Sequence, residues 1–198
     1  ARSRPARPAA PRTGTGPGCA ADAAAGTSAT VRTTVNGGAG SDSIDNTNAT
    51  AASFLQVSGG ANNDKITLGV ATENINAGAN NDIIVIKQAA LDQVGTVAAG
   101  DLDVLNGNDG QDALQLLLTS GDATTTFRLT PVTGQYSGFE VIELIDESGN
   151  TNAKTYKIDL TDDFVANNFV NGQFLIDARG LPAGSNLVID TSALTAAS

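Results

Sequence analysis

Short runs of β-branched and aliphatic residues, separated by Gly, Asn and Asp, fill the chain from residue 27 onward. They show no 3.6-residue helical period, and this pattern is typical of short strands joined by turns. A large aliphatic residue, denoted U, recurs at a nine-residue step that is interrupted by insertions of four and twelve residues. The positions of this register are Val35, Ile44, Val57, Ile66, Ile75, Ile84, Leu105 and Leu114. The spacing predicts one short strand per nine residues, with U pointing inward.

The register is part of a repeat of the form G-G-x-G-x-D-x-U-x. Residues 37–45 match this form without a mismatch, residues 59–67 match it with one change, and residues 77–85 and 107–115 are more degenerate copies. Several glycines are replaced by Asn, which is the non-Gly residue that best tolerates a positive φ. We therefore expect the Gly and Asn positions to form turns of left-handed backbone conformation.

A nine-residue unit accommodates a strand of about three residues and a turn of about six. Two units then form one 18-residue coil, in which strands build two facing parallel sheets and turns stack along two edges. In this arrangement the aspartates of the four clearest repeats lie on one edge, and these are Asp42, Asp64, Asp82 and Asp112. The opposite edge has only Glu73 and Asp103 as acids in register.

Stacked carboxylates at the strand spacing of roughly 4.8 Å repel one another unless a cation lies between them. Carboxylate and backbone carbonyl oxygens, without His or Cys, form a hard ligand set that suits Ca²⁺. The alternative interpretation is that these are ordinary Asn/Asp/Gly turns in a β-solenoid that binds no metal.

Composition narrows the function further. The chain has 21 acidic and 11 basic residues, a net charge of −10, no His and a single cysteine, Cys19. This charge disfavours binding to nucleic acid or to anionic membrane surfaces. Absence of His removes Ser-His-Asp and Cys-His catalysis, so we expect no enzymatic activity. No apolar run is long enough to insert into a membrane.

Three regions are expected along the chain. Residues 1–26 hold four of the six prolines and no Val, Ile, Leu or Phe, which predicts a disordered arm, linker or tag. Residues 27–118 are the predicted roll, and residues 119–198 are a β-rich continuation that caps it. Five strands are predicted in this last region, together with one or two helical turns at 162–168. The predicted strands are Thr124–Leu129, Phe139–Ile145, Thr155–Leu160, Gln173–Asp177 and Asn186–Asp190.

The nonapeptides resemble the calcium-binding repeats of the repeats-in-toxin (RTX) family. The resemblance covers residues 35–115 and implies an all-β fold, a right-handed parallel β-roll or β-solenoid. It also implies about two or three Ca²⁺ ions, each held between same-side turns by Asp carboxylates and turn carbonyls. The ligand positions that it implies are Gly37, Ala39, Asp42, Gly59, Ala61, Asp64, Ala77, Ala79, Asp82, Asp109 and Asp112.

The segment Gly138–Leu144, GFEVIEL, is similar to a strand that follows RTX repeats in large bacterial surface proteins. S-layer proteins and type-I-secreted adhesins are the implied relatives. We therefore expect a calcium-binding structural module of a secreted or cell-surface protein, whose partners are calcium and neighbouring modules or copies. Two alternatives stay open: a carbohydrate-binding or targeting module for a surface polysaccharide, and an RTX-bearing hydrolase. The missing His argues against the hydrolase.

Overall fold

A computed structural model describes residues 20–22, 32–50, 53–87, 103–118, 126–129, 131, 133–147, 149, 154–168 and 173–195. In chain order the strands of these residues are β1 (Ala20–Asp22), β2 (Arg32–Ala39), β3 (Ser43–Asp45), β4 (Phe54–Ala61), β5 (Lys65–Thr67), β6 (Thr72–Ala79), β7 (Ile83–Lys87), β8 (Val104–Asp109), β9 (Ala113–Leu118), β10 (Thr126–Leu129), β11 (Tyr136–Ser137), β12 (Val141–Asp146), β13 (Thr155–Thr161), β14 (Leu175–Gly180) and β15 (Asn186–Ala193). A helix, α1 (Asp162–Asn168), follows β13. The described part of the chain is thus mostly β.

Three sheets contain these strands. A seven-stranded sheet has the order β1-β3-β5-β7-β9-β12-β14, a five-stranded sheet has the order β11-β8-β6-β4-β2, and a three-stranded sheet has the order β10-β13-β15. Every strand pairing in them is parallel. From β2 to β9 the chain passes alternately between the five-stranded and the seven-stranded sheet, so each strand pairs with the next-but-one strand in sequence.

The predicted nine-residue register is confirmed by the strand pairing. In the five-stranded sheet, Val57 lies opposite Val35 and Ile75, and Ile75 lies opposite Leu105. In the seven-stranded sheet the paired register positions are Ile44, Ile66, Ile84 and Leu114. All eight are buried members of one hydrophobic core, and strand alternation places them on its side of each sheet.

Four strands of the five-stranded sheet, β2, β4, β6 and β8, are longer than the expected three residues. β2, β4 and β6 each have eight residues, whereas β3 and β5 in the other sheet have three, as predicted. The difference arises because the glycine-containing segments after the register position also pair, through Gly38, Gly60 and Gly78. These glycines have positive φ angles of 102°, 120° and 126°. Strand pairing in this sheet therefore continues through residues that the sequence predicts to form turns.

The expected left-handed asparagines are confirmed. Asn62, Asn80 and Asn108 have φ angles of 79°, 81° and 72°. Asn62 and Asn80 use their side-chain amides to bond the carbonyl of the preceding residue, at 2.7 Å in each case. This local bond compensates for the less favourable conformation of a residue with a Cβ atom.

The second half of the chain contains the predicted elements with small shifts at their ends. β10, β12, β13, β14 and β15 correspond to the five predicted strands, and α1 is the predicted helical segment. Tyr136, Phe139, Tyr156 and Phe164 are buried in the same core as the aliphatic register. Of the segment predicted as an arm, Ala20–Asp22 forms β1, and the rest lies outside the described residues, as does most of the twelve-residue insertion.

Candidate functional site

The four repeat aspartates lie two positions before an aliphatic register residue, and this spacing decides where their side chains point. Because side chains alternate along a strand, a residue two positions away faces the same side as the register residue. The aspartates consequently point inward at the edge of the seven-stranded sheet. Their exposed fractions are 3% for Asp42, 2% for Asp64, 1% for Asp82 and 0% for Asp112.

These aspartates form a hydrogen-bonded ladder, which we call the aspartate ladder. The backbone N–H of Asp42 donates to Oδ1 of Asp64 at 2.7 Å, and the N–H of Asp64 donates to Oδ1 of Asp82 at 2.8 Å. The N–H of Asp82 donates to Oδ1 of Asp112 at 2.7 Å. The carboxylates of Asp64, Asp82 and Asp112 thus each accept a backbone N–H of the preceding turn in the stack.

The ladder has a further acidic member that the sequence analysis did not include among its site residues. Glu140 accepts the N–H of Asp112 through Oε2 at 2.7 Å. It lies two positions before Ile142, which pairs with Leu114 in the seven-stranded sheet. The signal was present in the sequence as an acid two positions before an aliphatic residue, but no glycine-rich repeat surrounds it.

In three of the ladder carboxylates, the second oxygen has no corresponding donor among the described residues. Oδ2 of Asp64, Asp82 and Asp112 is buried and has no hydrogen-bond partner within the described residues. An ideal Cβ added to Gly59 would lie 2.4 Å from Oδ2 of Asp64 and 2.3 Å from the carbonyl oxygen of Ala77. Two acceptor oxygens therefore converge beside the glycine. A cation or a proton would relieve the repulsion between these two oxygens. A side chain at residue 59 would not fit.

The same arrangement recurs at two other turns. Beside Gly37, the added Cβ would lie 2.7 Å from Oδ2 of Asp42 and 2.5 Å from the carbonyl oxygen of Gly59. Beside Gly107, it would lie 2.6 Å from Oδ2 of Asp112 and 2.0 Å from the carbonyl oxygen of Gly138. The convergence of a carboxylate and a carbonyl oxygen is therefore a repeated feature of this edge.

Burial and mutual repulsion affect the acidity of the ladder. Burial raises the pKa of Asp82 to about 7; the hydrogen bond from the Asp64 amide opposes this rise, and the charges of Asp112 and Asp64 add to it. Burial raises the pKa of Asp112 to about 6, against the hydrogen bond from the Asp82 amide, and the charges of Glu140 and Asp109 contribute to the rise. The pKa of Asp64 is raised for the same first reason. The ladder therefore favours a bound proton or a positive charge.

The other ligand positions that the resemblance implies have different surroundings in the structure. Ala39, Ala61, Ala79 and Asp109 form one paired row at the end of the five-stranded sheet. The carbonyl of Ala61 accepts the N–H of Gly40 at 3.1 Å, and that of Asp109 accepts the N–H of Asn80 at 2.8 Å. These carbonyls already hold amide donors, and the Asp109 side chain is exposed. The carbonyls that face the ladder are instead those of Gly59 and Ala77, with Gly138 as an addition.

Within the described ranges, no three acidic or cysteine side chains come together as a ready metal cluster. Comparison with protein-family models, curated proteins and solved structures found no match to this chain. No helix in the described part of the chain is long and apolar enough to cross a membrane. The aspartate ladder is therefore the feature of the described residues that bears on function.

Proposed function

We propose that this protein is a calcium-binding β-roll, a parallel β-solenoid in which ions bind between stacked turns and hold successive coils together. The regular passage of the chain between two parallel sheets with one shared core supports the solenoid interpretation. The module is structural rather than catalytic, and its binding of Ca²⁺ drives folding and rigidity.

The observation that carries the proposal is the set of buried Oδ2 atoms of Asp64, Asp82 and Asp112, which have no hydrogen-bond donor among the described residues. Buried polar atoms in native proteins are nearly always paired, and an unpaired carboxylate oxygen is especially costly. Carbonyl oxygens converge with Oδ2 of Asp64 beside Gly59 and with Oδ2 of Asp112 beside Gly107, and no ion pair of the described residues includes these aspartates. Ca²⁺ binds such oxygen-only surroundings.

The ligands of the proposed ions follow from which oxygens converge. The carboxylates of Asp64 and Asp112 would each contribute Oδ2, together with the carbonyls of Ala77 and Gly138 respectively. Asp42 and the carbonyl of Gly59 would do the same at the preceding turn. Water would complete the coordination, since Ca²⁺ takes six to eight oxygens.

The substitution Asp64→Asn distinguishes calcium binding from the competing interpretation, in which the ladder binds protons rather than metal. Asparagine keeps an oxygen to accept the Asp42 N–H, and its amide nitrogen can donate to the Ala77 carbonyl that faces Oδ2. Without calcium, we expect this variant to melt at or above the wild-type temperature. With calcium, we expect the wild type to gain about 2.7 kcal/mol for each site at a hundredfold excess over Kd, and the variant to gain less.

Differential scanning calorimetry of both proteins in EGTA and in 10 mM CaCl₂ measures this difference. Glu147→Gln, at an exposed position outside the ladder, is the control and should respond to calcium as the wild type does. If calcium does not change the melting temperature of the wild type, the proposed calcium binding is wrong, and the interpretation of the ladder as a proton-binding site is the one that stands.

The calcium affinity that is typical of extracellular modules also bears on where this protein is located. Such modules bind with Kd values of about 10⁻⁴–10⁻³ M, well above cytosolic calcium concentrations. A protein of this kind stays loosely folded inside a cell and folds outside it. We therefore propose a secreted or cell-surface location, with an S-layer-like or adhesin-like role beside neighbouring modules.

A second candidate function, binding of a neutral surface polysaccharide, is favoured by the outer face of the five-stranded sheet. There a shallow depression is lined by uncharged polar side chains, principally Thr34, Asn36, Gln56, Ser58, Asn74 and Asn76. Rows of amides and hydroxyls match the hydroxyl groups of a glycan without charge. By contrast, Tyr136, Phe139, Tyr156 and Phe164 are buried, so they offer no aromatic sugar platform. Loss of polysaccharide pull-down in Gln56→Ala/Asn74→Ala would support this candidate.

A further inference from the structure

The edge opposite the aspartate ladder contains two buried acids, Glu73 and Asp103. Each lies two positions before a register residue of the five-stranded sheet, Ile75 and Leu105, and therefore points inward. Glu73 is 0% exposed and Asp103 is 6% exposed. The backbone N–H of Glu73 donates to Oδ1 of Asp103 at 2.8 Å, which joins β6 to β8 at this edge.

The Glu73 carboxyl has few donors for a buried group. The N–H of Gly69 is shared between its two oxygens at 3.2 Å each. No basic side chain forms an ion pair with Glu73 in the part of the chain that the structure describes. One shared amide does not offset the cost of burying a full negative charge. The geometry is therefore that of a neutral carboxylic acid.

A neutral carboxylic acid needs an acceptor for its own proton, and Asn46 provides one. The Asn46 side chain lies beside Glu73 and is 0% exposed. Neither its amide oxygen nor its amide nitrogen makes a hydrogen bond of standard geometry within the described ranges, although the amide lies close enough to Glu73 to oppose the rise in its pKa. A proton on Glu73, donated to the amide oxygen of Asn46, satisfies both groups at once.

The other groups around Glu73 do not supply a positive charge. The charge of Asp103, the residue before β8, acts on both Glu73 and the Tyr136 hydroxyl of β11. Tyr136 is 1% exposed, and its hydroxyl has no hydrogen-bond partner among the described residues. On β4, the residue opposite Glu73 is Leu55, which is apolar. Burial raises the pKa of Glu73 to about 8, with the charge of Asp103 adding to the rise. Burial likewise raises the pKa of Asp103 to about 6.

We propose that Glu73 is a proton-binding site which locks β6 to its neighbours in the folded state, so that this edge of the molecule responds to pH. The proposal is independent of calcium, because Glu73 is not among the proposed metal ligands. Since the pKa of Glu73 is raised in the folded state to about 8 from 4.5, folding takes up a proton between these values. Its contribution to stability is therefore complete below pH 4.5 and is lost as the pH rises to about 8.

A titration of protein labelled with ¹³C-glutamate tests the site directly. The chain has four glutamates, Glu73, Glu140, Glu143 and Glu147, so their side-chain carboxyl resonances can be assigned by single substitution. We expect one resonance to titrate near pH 8, and we expect that resonance to be missing from Glu73→Gln. If the Glu73 resonance titrates in the ordinary acidic range, the proposal is wrong.

Thermal unfolding of the same variant in saturating CaCl₂ tests the consequence. Gln mimics a protonated Glu, so Glu73→Gln should melt within about 2 °C of the wild type at pH 5, and at least about 5 °C above it at pH 9. Comparison with the wild type at each pH cancels the titration of the aspartate ladder, which both proteins share. Glu147→Gln should follow the wild type at both pH values. An equal loss of stability for Glu73→Gln at pH 5 and pH 9 would contradict the proposal.

Discussion

Inward-facing positions in this molecule are of two kinds, and they differ by two residues. The register position holds an aliphatic side chain such as Ile66, and the position two before it holds a carboxylate such as Asp64. Both have nearly zero exposure, yet the first is stabilised by packing and the second by an amide donor from the adjacent turn. The same side of one strand thus carries an apolar core and a polar edge.

Substitution of a register residue tests this distinction. Ile75→Asp places an additional carboxylate among the apolar side chains of β4 and β8, where no backbone donor is aimed at it. We expect a loss of several kcal/mol, enough to unfold a domain of ordinary stability. The adjacent variant Asn74→Asp adds the same charge at an exposed position and should change stability by about 0.5 kcal/mol or less. Urea denaturation in saturating calcium measures both, and equal stabilities would refute the register.

At the scale of elements, the turns and strands of the ladder edge form a unit in which, on the proposed function, protons and calcium would compete. Without metal, the raised pKa values of Asp82 and Asp112, about 7 and about 6, mean that the folded state binds protons more tightly than the unfolded chain. Stability in EGTA therefore falls as the pH rises through this range. In the proposed function, calcium would bind the deprotonated carboxylates and compensate for that loss.

The resulting prediction is that calcium stabilises the protein more at pH 8 than at pH 5.5. At the lower pH, calcium must displace protons from the ladder, which reduces its apparent affinity. We expect the calcium-induced rise in melting temperature to be at least about twice as large at pH 8. Thermal unfolding with and without CaCl₂ at the two pH values measures it. A calcium effect that is independent of pH would place the ion away from these carboxylates.

The strands and turns also differ in how well their structure could be predicted from the sequence. The register was predictable because strand alternation and a nine-residue step leave little freedom for Ile66 and Ile84. The acids of the ladder were predictable as a row, but their backbone donors were not, since the partner of an amide depends on how turns stack. Glu140 was missed because its surroundings lack the glycines of the repeat. The pairing through Gly38 and Gly60 was missed because glycine was interpreted only as a turn residue.

At the scale of the whole molecule, the described parts of residues 27–118, the repeat half, and of residues 119–198, the aromatic half, share one core. Tyr136 pairs with Leu105, and Phe164 contacts Tyr136 edge-to-face with ring centroids 5.9 Å apart. Beyond this core, Lys154 and Asp146 form a buried ion pair at 2.9 Å, and the Tyr156 hydroxyl also donates to Asp146. The packing gives no sign of two separate cores among the described residues.

Calcium bound in the repeat half should consequently order the aromatic half as well. The chain contains two tyrosines, Tyr136 and Tyr156, and no tryptophan, so its near-ultraviolet circular dichroism reports mainly on that second half. We expect this signal and the far-ultraviolet strand signal to change together, with the same midpoint, during a calcium titration. Separate midpoints would mean that the two halves fold independently.

The aspartate ladder also has a direction. Each amide donates to the carboxylate of a later turn, so a carboxylate protects an amide that precedes it in sequence. Loss of one carboxylate should therefore affect hydrogen exchange of the amide that precedes it in sequence. Asp82→Ala should accelerate exchange of the Asp64 amide. The Asp112 amide, which donates to Glu140, should keep its protection. A stack of near-identical turns thereby acquires a polarity that its repeat sequence does not display.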